Sequence, residues 1–177
     1  MCELPERSEQ MTFANYNVYP QVREAHDAAV MIAKNELDWL TLIGNVDCGK
    51  THLAVAICRE WITQGKPAKY AYVPLLLDEL RQGIGQTGSE AYTYRFNVYC
   101  SIPLLVLDDY GTQKASEWAQ ERLDTIVDYR YMHKLPLVVT SNLRITEMPD
   151  RIASRLQRYE NGVVIGIDTR EYRLRAK

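Results

Sequence analysis

The sequence predicts an α/β sandwich built on a mainly parallel sheet of about five strands. Three observations carry that reading. Short apolar runs with β-branched content alternate with segments of helical spacing along the chain. Three of those runs are almost continuously apolar, as strands are when both sheet faces are covered. No internal repeat, low-complexity tract or interior linker divides the 177 residues.

The elements follow in order. Residues 1–10 are polar and read as a flexible arm, with 11–177 as one domain. From Pro20, the residues Val22, Ala25, Ala29, Ile32 and Ala33 recur at helical spacing. "WLTLI" (39–43) is a buried strand. A helix opens at Lys50, carries Leu53, Ile57 and Trp61 at four-residue spacing, and stops at Gly65 and Pro67. "KYAYV" (69–73) is a second strand, and "PLLLDELRQ" (74–82) a helix with Pro74 in its first turn. "GIGQTGS" (83–89) is a loop, followed by a helix to about residue 99. "PLLVLDDYG" (103–111) is a strand that runs into two carboxylates. Ala119, Leu123, Ile126, Val127 and Arg130 mark one face of the next helix. "PLVVTSNL" (136–143) is a strand, "MPDRIASRLQR" (148–158) a short helix and "GVVIGI" (162–167) a last strand.

Composition excludes several classes. No apolar run reaches membrane-spanning length and no N-terminal signal pattern is present, so no membrane partner is expected and the cytoplasm is the expected location. Cysteines at 2, 48, 58 and 100 form no CxxC pair, and histidines 26, 52 and 133 do not cluster. That argues against structural zinc and against a disulfide framework. The net charge is −2 but unevenly spread: residues 144–177 carry 8 basic and 5 acidic groups, residues 1–40 carry 3 and 7. A basic C-terminal third suits phosphates or an acidic partner as well as it suits solvent.

The chemistry begins at "GNVDCGKT" (44–51), which fits G-x-x-x-x-G-K-S/T between a strand and a helix. The glycines let successive N–H groups turn inward on a phosphate, and the helix start adds its positive end. Gly44, Asn45, Val46, Asp47, Cys48, Gly49, Lys50, Thr51 and His52 are therefore the expected nucleotide contacts. Lys50 is placed to reach the β- and γ-phosphates, and the Thr51 hydroxyl to ligate Mg²⁺. Asp47 is the discordant residue, since an acid pointing inward repels phosphate while one pointing outward costs little. Cys48 reads as a small filler beside the loop.

Further motifs follow. "LLVLDDYG" brings Asp108 and Asp109 to the C-terminal end of a strand, where ligands sit in open α/β sheets. Asp108 suits the Mg²⁺ shell, and Asp109 suits orienting or deprotonating an attacking water. Asn142, past a strand expected between the first and third, suits sensing of the γ-phosphate or positioning of that water. Arg151, Arg155 and Arg158 fall about one helical turn apart, on a face that is either solvated or offered to a neighbour's γ-phosphate.

In this order, the P-loop, "DDYG", "TSNL" and "RIASRL" resemble the AAA+ ATPases. More narrowly, they are similar to bacterial replicative helicase loaders of the DnaC/DnaI type and to IstB-like transposition ATPases. "GKTHLA" (49–54) and "LDDYG" (107–111) carry the resemblance most strongly, and "MTFANYNV" (11–18) looks like that family's lead-in to the nucleotide pocket. The resemblance implies a P-loop three-layer αβα sandwich. It implies ATP and Mg²⁺ as cofactors, with Lys50, Thr51 and Asp108 binding them. It implies Asp109 where many AAA+ proteins have Glu, Asn142 as the sensor residue, and Arg155 as an arginine finger supplied in trans. It implies self-association through the Arg155 face, single-stranded DNA as a ligand and a replicative helicase as partner. An extra helical element over 74–99 would carry Arg81 and Arg95 as DNA contacts.

The sequence departs from the family at Asp47 and Cys48, where glycine and a small residue are usual. Helicase loaders usually carry a separate N-terminal domain that grips the helicase, whereas only about ten residues precede the lead-in here, so the expectation is either a helicase contact elsewhere or a different task. With about ten residues after the last strand, no helical lid is expected. Arg170, Arg173 and Arg175 are the late candidates for a sensor arginine. The leading expectation is a slow, switch-like ATPase of the helicase-loader type. The alternatives are an IstB-like transposition helper and a non-catalytic nucleotide-binding regulator.

Overall fold

A computed structural model describes residues 4–5, 8–82, 89–111 and 116–168. The chain order is α1 (Pro20–Ala33), β1 (Trp39–Gly44), α2 (Lys50–Thr63), β2 (Ala68–Tyr72), α3 (Val73–Gln82), α4 (Ser89–Ser101), β3 (Leu104–Tyr110), α5 (Glu117–Met132), β4 (Leu137–Ser141), α6 (Asp150–Arg158) and β5 (Gly162–Ile167). All five strands lie in one parallel sheet of order β2-β3-β4-β1-β5. The expected sandwich is therefore present, with β4 between β1 and β3. Most of the expected loop at 83–89, together with Arg170, Arg173 and Arg175, lies outside the described residues.

Strand alternation creates the three layers. Leu40, Leu42, Val106 and Val138 face a core with α1 and α2, including Ala29, Ile32, Leu53 and Ile57. Their neighbours Trp39, Leu105, Leu107 and Val139 face the opposite core, with α3, α4, α5 and α6. The three central strands β1, β3 and β4 thus bury both faces, which is why their runs are largely apolar, whereas the edge strands β2 and β5 are less buried.

Arg130 sits on the apolar face of α5 and is wholly buried. Its guanidinium donates to the carbonyls of Tyr99 and Cys100 at 3.2 and 3.1 Å and of Pro103 at 3.1 Å, and also to that of Pro136. Burial pulls its pKa down to about 9, which still leaves it charged at neutral pH. The side chain therefore ties the end of α4 and the starts of β3 and β4 to α5.

Two features were absent from the sequence reading. A short 3-10 helix, Ile145–Glu147, precedes α6, which begins at Asp150 rather than at 148. A register shift separates Leu107↔Val139 from Tyr110↔Ser141, so β3 carries one residue more than β4 across that interval. This is a β-bulge, and Asp109 within it has φ 62°.

Candidate functional site

The loop joins the C-terminal end of β1 to the start of α2. Its two motif glycines are required for different reasons. A Cβ on Gly44 would lie 2.6 Å from the Ile167 carbonyl oxygen and 2.9 Å from Cys48 Sγ. Gly49 has φ +94°, and a Cβ there would lie 2.7 Å from the Tyr16 hydroxyl. Cys48 is buried beneath the loop, as a filler.

Asp47 adopts φ 60°. Only glycine takes that conformation freely, and aspartate and asparagine are the side chains that tolerate it best. The backbone thus keeps the shape of a glycine-containing loop although the residue is an acid.

Lys50 is 7% exposed at the first position of α2. Its ammonium donates to the carbonyls of Gly44 at 2.8 Å and Asn45 at 2.7 Å, and to Asn142 Oδ1 at 2.9 Å. The last bond joins the loop to the end of β4. Asn142 Nδ2 in turn donates to Asp109 Oδ1 at 3.2 Å.

Asp108 is buried and closely coordinated. Thr51 Oγ1 lies 3.1 Å from each carboxylate oxygen. Thr140 Oγ1 donates to Oδ1 at 2.6 Å and the Tyr70 hydroxyl to Oδ2 at 2.6 Å. Burial, with the adjacent Asp108 charge second, pushes the Tyr70 phenol far above its ordinary pKa, so it stays a donor. The Asp109 amide donates to Thr140 Oγ1 at 2.9 Å, which anchors the bulge. In a regular strand, Asp108 and Asp109 would point to opposite faces. With the bulge, both line one cavity of about 880 Å³ together with Lys50, Thr51, Thr140 and Asn142. Val46 and Asp47 also line it.

A second cavity of about 470 Å³, which shares Asp47, Lys50 and Thr51 with the first, lies between Asp47–His52 and the lead-in segment that includes Asn15, Tyr16 and Asn17. His52 Nε2 is 2.8 Å from the Thr12 carbonyl oxygen, and its ring stands edge-on to Tyr16 at 5.1 Å. Tyr16 also stacks on His26 at 5.9 Å. His52 is thus engaged with the lead-in.

Gly44 and Asn45 line neither cavity, and neither does Arg155. It lies on α6, bonded to Asp128 of α5 through Nε at 2.9 Å. Arg158 is exposed on the same helix.

The donor set suits a hard cation held jointly with a ligand. Thr51 and Asp108 supply oxygen, the donor type that Mg²⁺ takes. Among the described residues no group of three or more His, Cys, Asp or Glu side chains forms a metal cage. A Mg²⁺ at this place would therefore draw most of its ligands from phosphate and water.

The structure brings together the expected loop, both acids and Asn142, and adds Tyr70 and Thr140, neither of which the sequence motifs single out. Thr140 had a signal, as a hydroxyl within the apolar run "PLVVTSNL". Tyr70 had none, because aromatic residues in strands usually report packing alone.

A parallel sheet of this order, covered by helices on both faces and carrying this loop after β1, defines a P-loop domain of the AAA+ type. Residues 7–154 match the family described as IstB-like ATP binding protein, and the chain belongs to that family. It is 28% identical over 113 residues to the replicative helicase loader DnaC of Escherichia coli, covering 64% of this chain and 46% of that protein. To the replicative helicase loader DnaI of Bacillus subtilis it is 27% identical over 110 residues, covering 62% and 34%. The chain thus spans half or less of the length of these curated relatives. A crystal structure of the DnaC helicase loader superimposes with TM-score 0.79 at 21% identity, covering 93% of this chain and 100% of that one. The replication initiator DnaA bound to AMPPCP and single-stranded DNA gives 0.79 at 23% identity, covering 92% and 51%. Both structures share the fold. Among the described residues no helix is long and apolar enough to cross a membrane.

Proposed function

We propose that this chain binds and slowly hydrolyses ATP, and uses the nucleotide state as a switch in replication, in the manner of a helicase loader. The observation that carries this is the convergence of Lys50, Thr51, Asp108, Asp109 and Asn142 on one cavity at the C-terminal edge of the sheet. The loop Gly44–His52 is the phosphate-binding element, within an ATPase domain over 11–177. Thr51 and Asp108 would hold Mg²⁺, which supplies charge neutralisation at the phosphates when bound.

The chain's own residues divide the remaining work. Lys50 binds the β- and γ-phosphate oxygens, and the loop N–H groups cradle the β-phosphate. Asp109 accepts a hydrogen bond from the attacking water and orients it. Asn142, 2.9 Å from the Lys50 ammonium and 3.2 Å from Asp109, links the γ-phosphate position to both. The water oxygen bonds to the γ-phosphorus while the bond to the β-phosphate oxygen breaks, and the water's proton passes by way of Asp109 to the departing phosphate or to solvent, releasing ADP and inorganic phosphate. Arg155 stabilises the transition state in a neighbouring copy's site, through self-association of the Arg155 face.

The named relatives support a replicative helicase and single-stranded DNA as partners and a cytoplasmic location. The family description favours a second reading, a transposition helper. Capture of a helicase rather than a transposase separates the two. The first test is ATP turnover with and without single-stranded DNA, for wild type and Arg155→Ala, over a range of protein concentrations. Turnover that rises with concentration and collapses in the variant is expected. If ATP is neither bound nor hydrolysed at any concentration, the non-catalytic reading replaces this one.

A further inference from the structure

Arg155 is held by its own chain in a fixed geometry. Its Nε donates to Asp128 Oδ1 at 2.9 Å. The same carboxylate receives Nη2 of Arg151 on its other oxygen. The Arg155 guanidinium lies over the Tyr131 ring at 4.4 Å from the centroid. Tyr131 does not float: it stands edge-on to Trp39 at 6.0 Å and to Tyr159 at 5.7 Å. Those two rings stack at 4.5 Å, and Trp39 Nε1 donates to the Leu135 carbonyl at 2.9 Å. Asp128 is the less exposed partner, at 18% against 36% for the Arg155 side chain.

We propose that Asp128, with Tyr131, is the positioning pair that presents the Arg155 guanidinium to the nucleotide of a neighbouring copy. This rests on the reading of Arg155 as a residue acting in trans. Three features carry it. The bond uses Nε, at the base of the guanidinium, and not the Nη end of the fork. The Tyr131 ring beneath, with the guanidinium carbon 4.4 Å from its centroid, gives the guanidinium a second contact besides the carboxylate. Two guanidinium groups against one carboxylate leave the triad with net charge +1, still attractive to a triphosphate. A long side chain ordered before association loses less freedom when it meets the phosphate, and misplacement of such a group is costly to turnover.

The test uses the full chain and steady-state ATP turnover at saturating protein, without and with single-stranded DNA. Asp128→Asn keeps the shape and removes the charge. It is expected to lower kcat by on the order of tenfold to a hundredfold while leaving KM for ATP unchanged, because its own nucleotide pocket is intact. The discriminating readout is mixing. A Lys50→Ala copy cannot use ATP but still offers an intact Asp128 and Arg155. Added in excess to Asp128→Asn, it restores turnover, as it also does for Arg155→Ala. A structural defect in Asp128→Asn would not be repaired from outside.

If Arg155→Ala is not complemented, the trans reading fails and this inference falls with it. If Arg155→Ala is complemented but Asp128→Asn turns over at the wild-type rate, or faster, the positioning role alone is overturned. Should Asp128→Asn lose nucleotide binding through misfolding, Asp128→Glu takes its place. It keeps the charge but displaces the carboxylate by one methylene, and the same kcat loss and rescue are expected. Wild-type turnover by that variant overturns the role.

Discussion

The Tyr70 hydroxyl donates to Asp108 Oδ2 at 2.6 Å, reaching the carboxylate from the neighbouring strand β2. Thr140 holds the other oxygen at 2.6 Å. Asp108 is thus fixed from β2 and from β4, the two strands that flank β3.

Removing either donor leaves a buried carboxylate oxygen with only the shared Thr51 hydroxyl. Tyr70→Phe and Thr140→Val are each expected to cost about 1–3 kcal/mol of stability in urea unfolding. The two losses are expected not to add, since both act on one carboxylate. Additive losses would mean that the two contacts are independent.

Asp47 tests charge against backbone shape. Asp47→Gly keeps φ 60° accessible and removes an acid from the loop, so tighter ATP binding with unchanged or slightly higher melting temperature is expected. Asp47→Val is expected to destabilise by about 1–3 kcal/mol, because a β-branched side chain resists that conformation. Titration of a fluorescent ATP analogue, together with thermal melting, checks both.

Gly49→Ala meets two obstacles at once, φ +94° and the Tyr16 hydroxyl 2.7 Å away. Loss of nucleotide binding with a stability loss of at least about 1 kcal/mol is expected. Adding Tyr16→Ala to this variant removes the clash but not the strain, so only part of the loss should return.

Stability is expected to fall in alkali. Burial raises the phenols of Tyr16, Tyr70, Tyr110 and Tyr159, and it pushes the Cys100 thiol up to about 11. The folded state therefore keeps protons that the unfolded chain releases, and the contribution is full below about pH 9 and lost as pH rises. Arg130, lowered to about 9 by burial, works in the opposite direction, against five groups. Urea midpoints measured from about pH 7 to about pH 10.5 should be flat and then decline. A midpoint that rises across that range would show that Arg130 dominates.

Much of the fold was legible because the central strands are covered on both faces, so "WLTLI" and "PLLVLDDYG" announce themselves as apolar runs. The loop was legible because its glycines, lysine and threonine must stand at set intervals. The bulge was not legible, since an extra residue in β3 appears only against the register of β4. Nor was the short 3-10 helix before α6, where "LRITEMPD" has no periodic face.

Local chemistry therefore determined the order of elements, the phosphate-binding loop and the residue types at the end of each strand. These depend on spacing along the chain, which the sequence records directly. Tertiary structure alone decided that Asp108 and Asp109 share one cavity, that Tyr70 and Thr140 hold Asp108, and that Asp128 holds Arg155. Those relations join β2, β3 and β4, or α5 and α6, at separations of 27 to 38 residues. Packing of the whole sheet and its helices sets such contacts, and no local pattern encodes them.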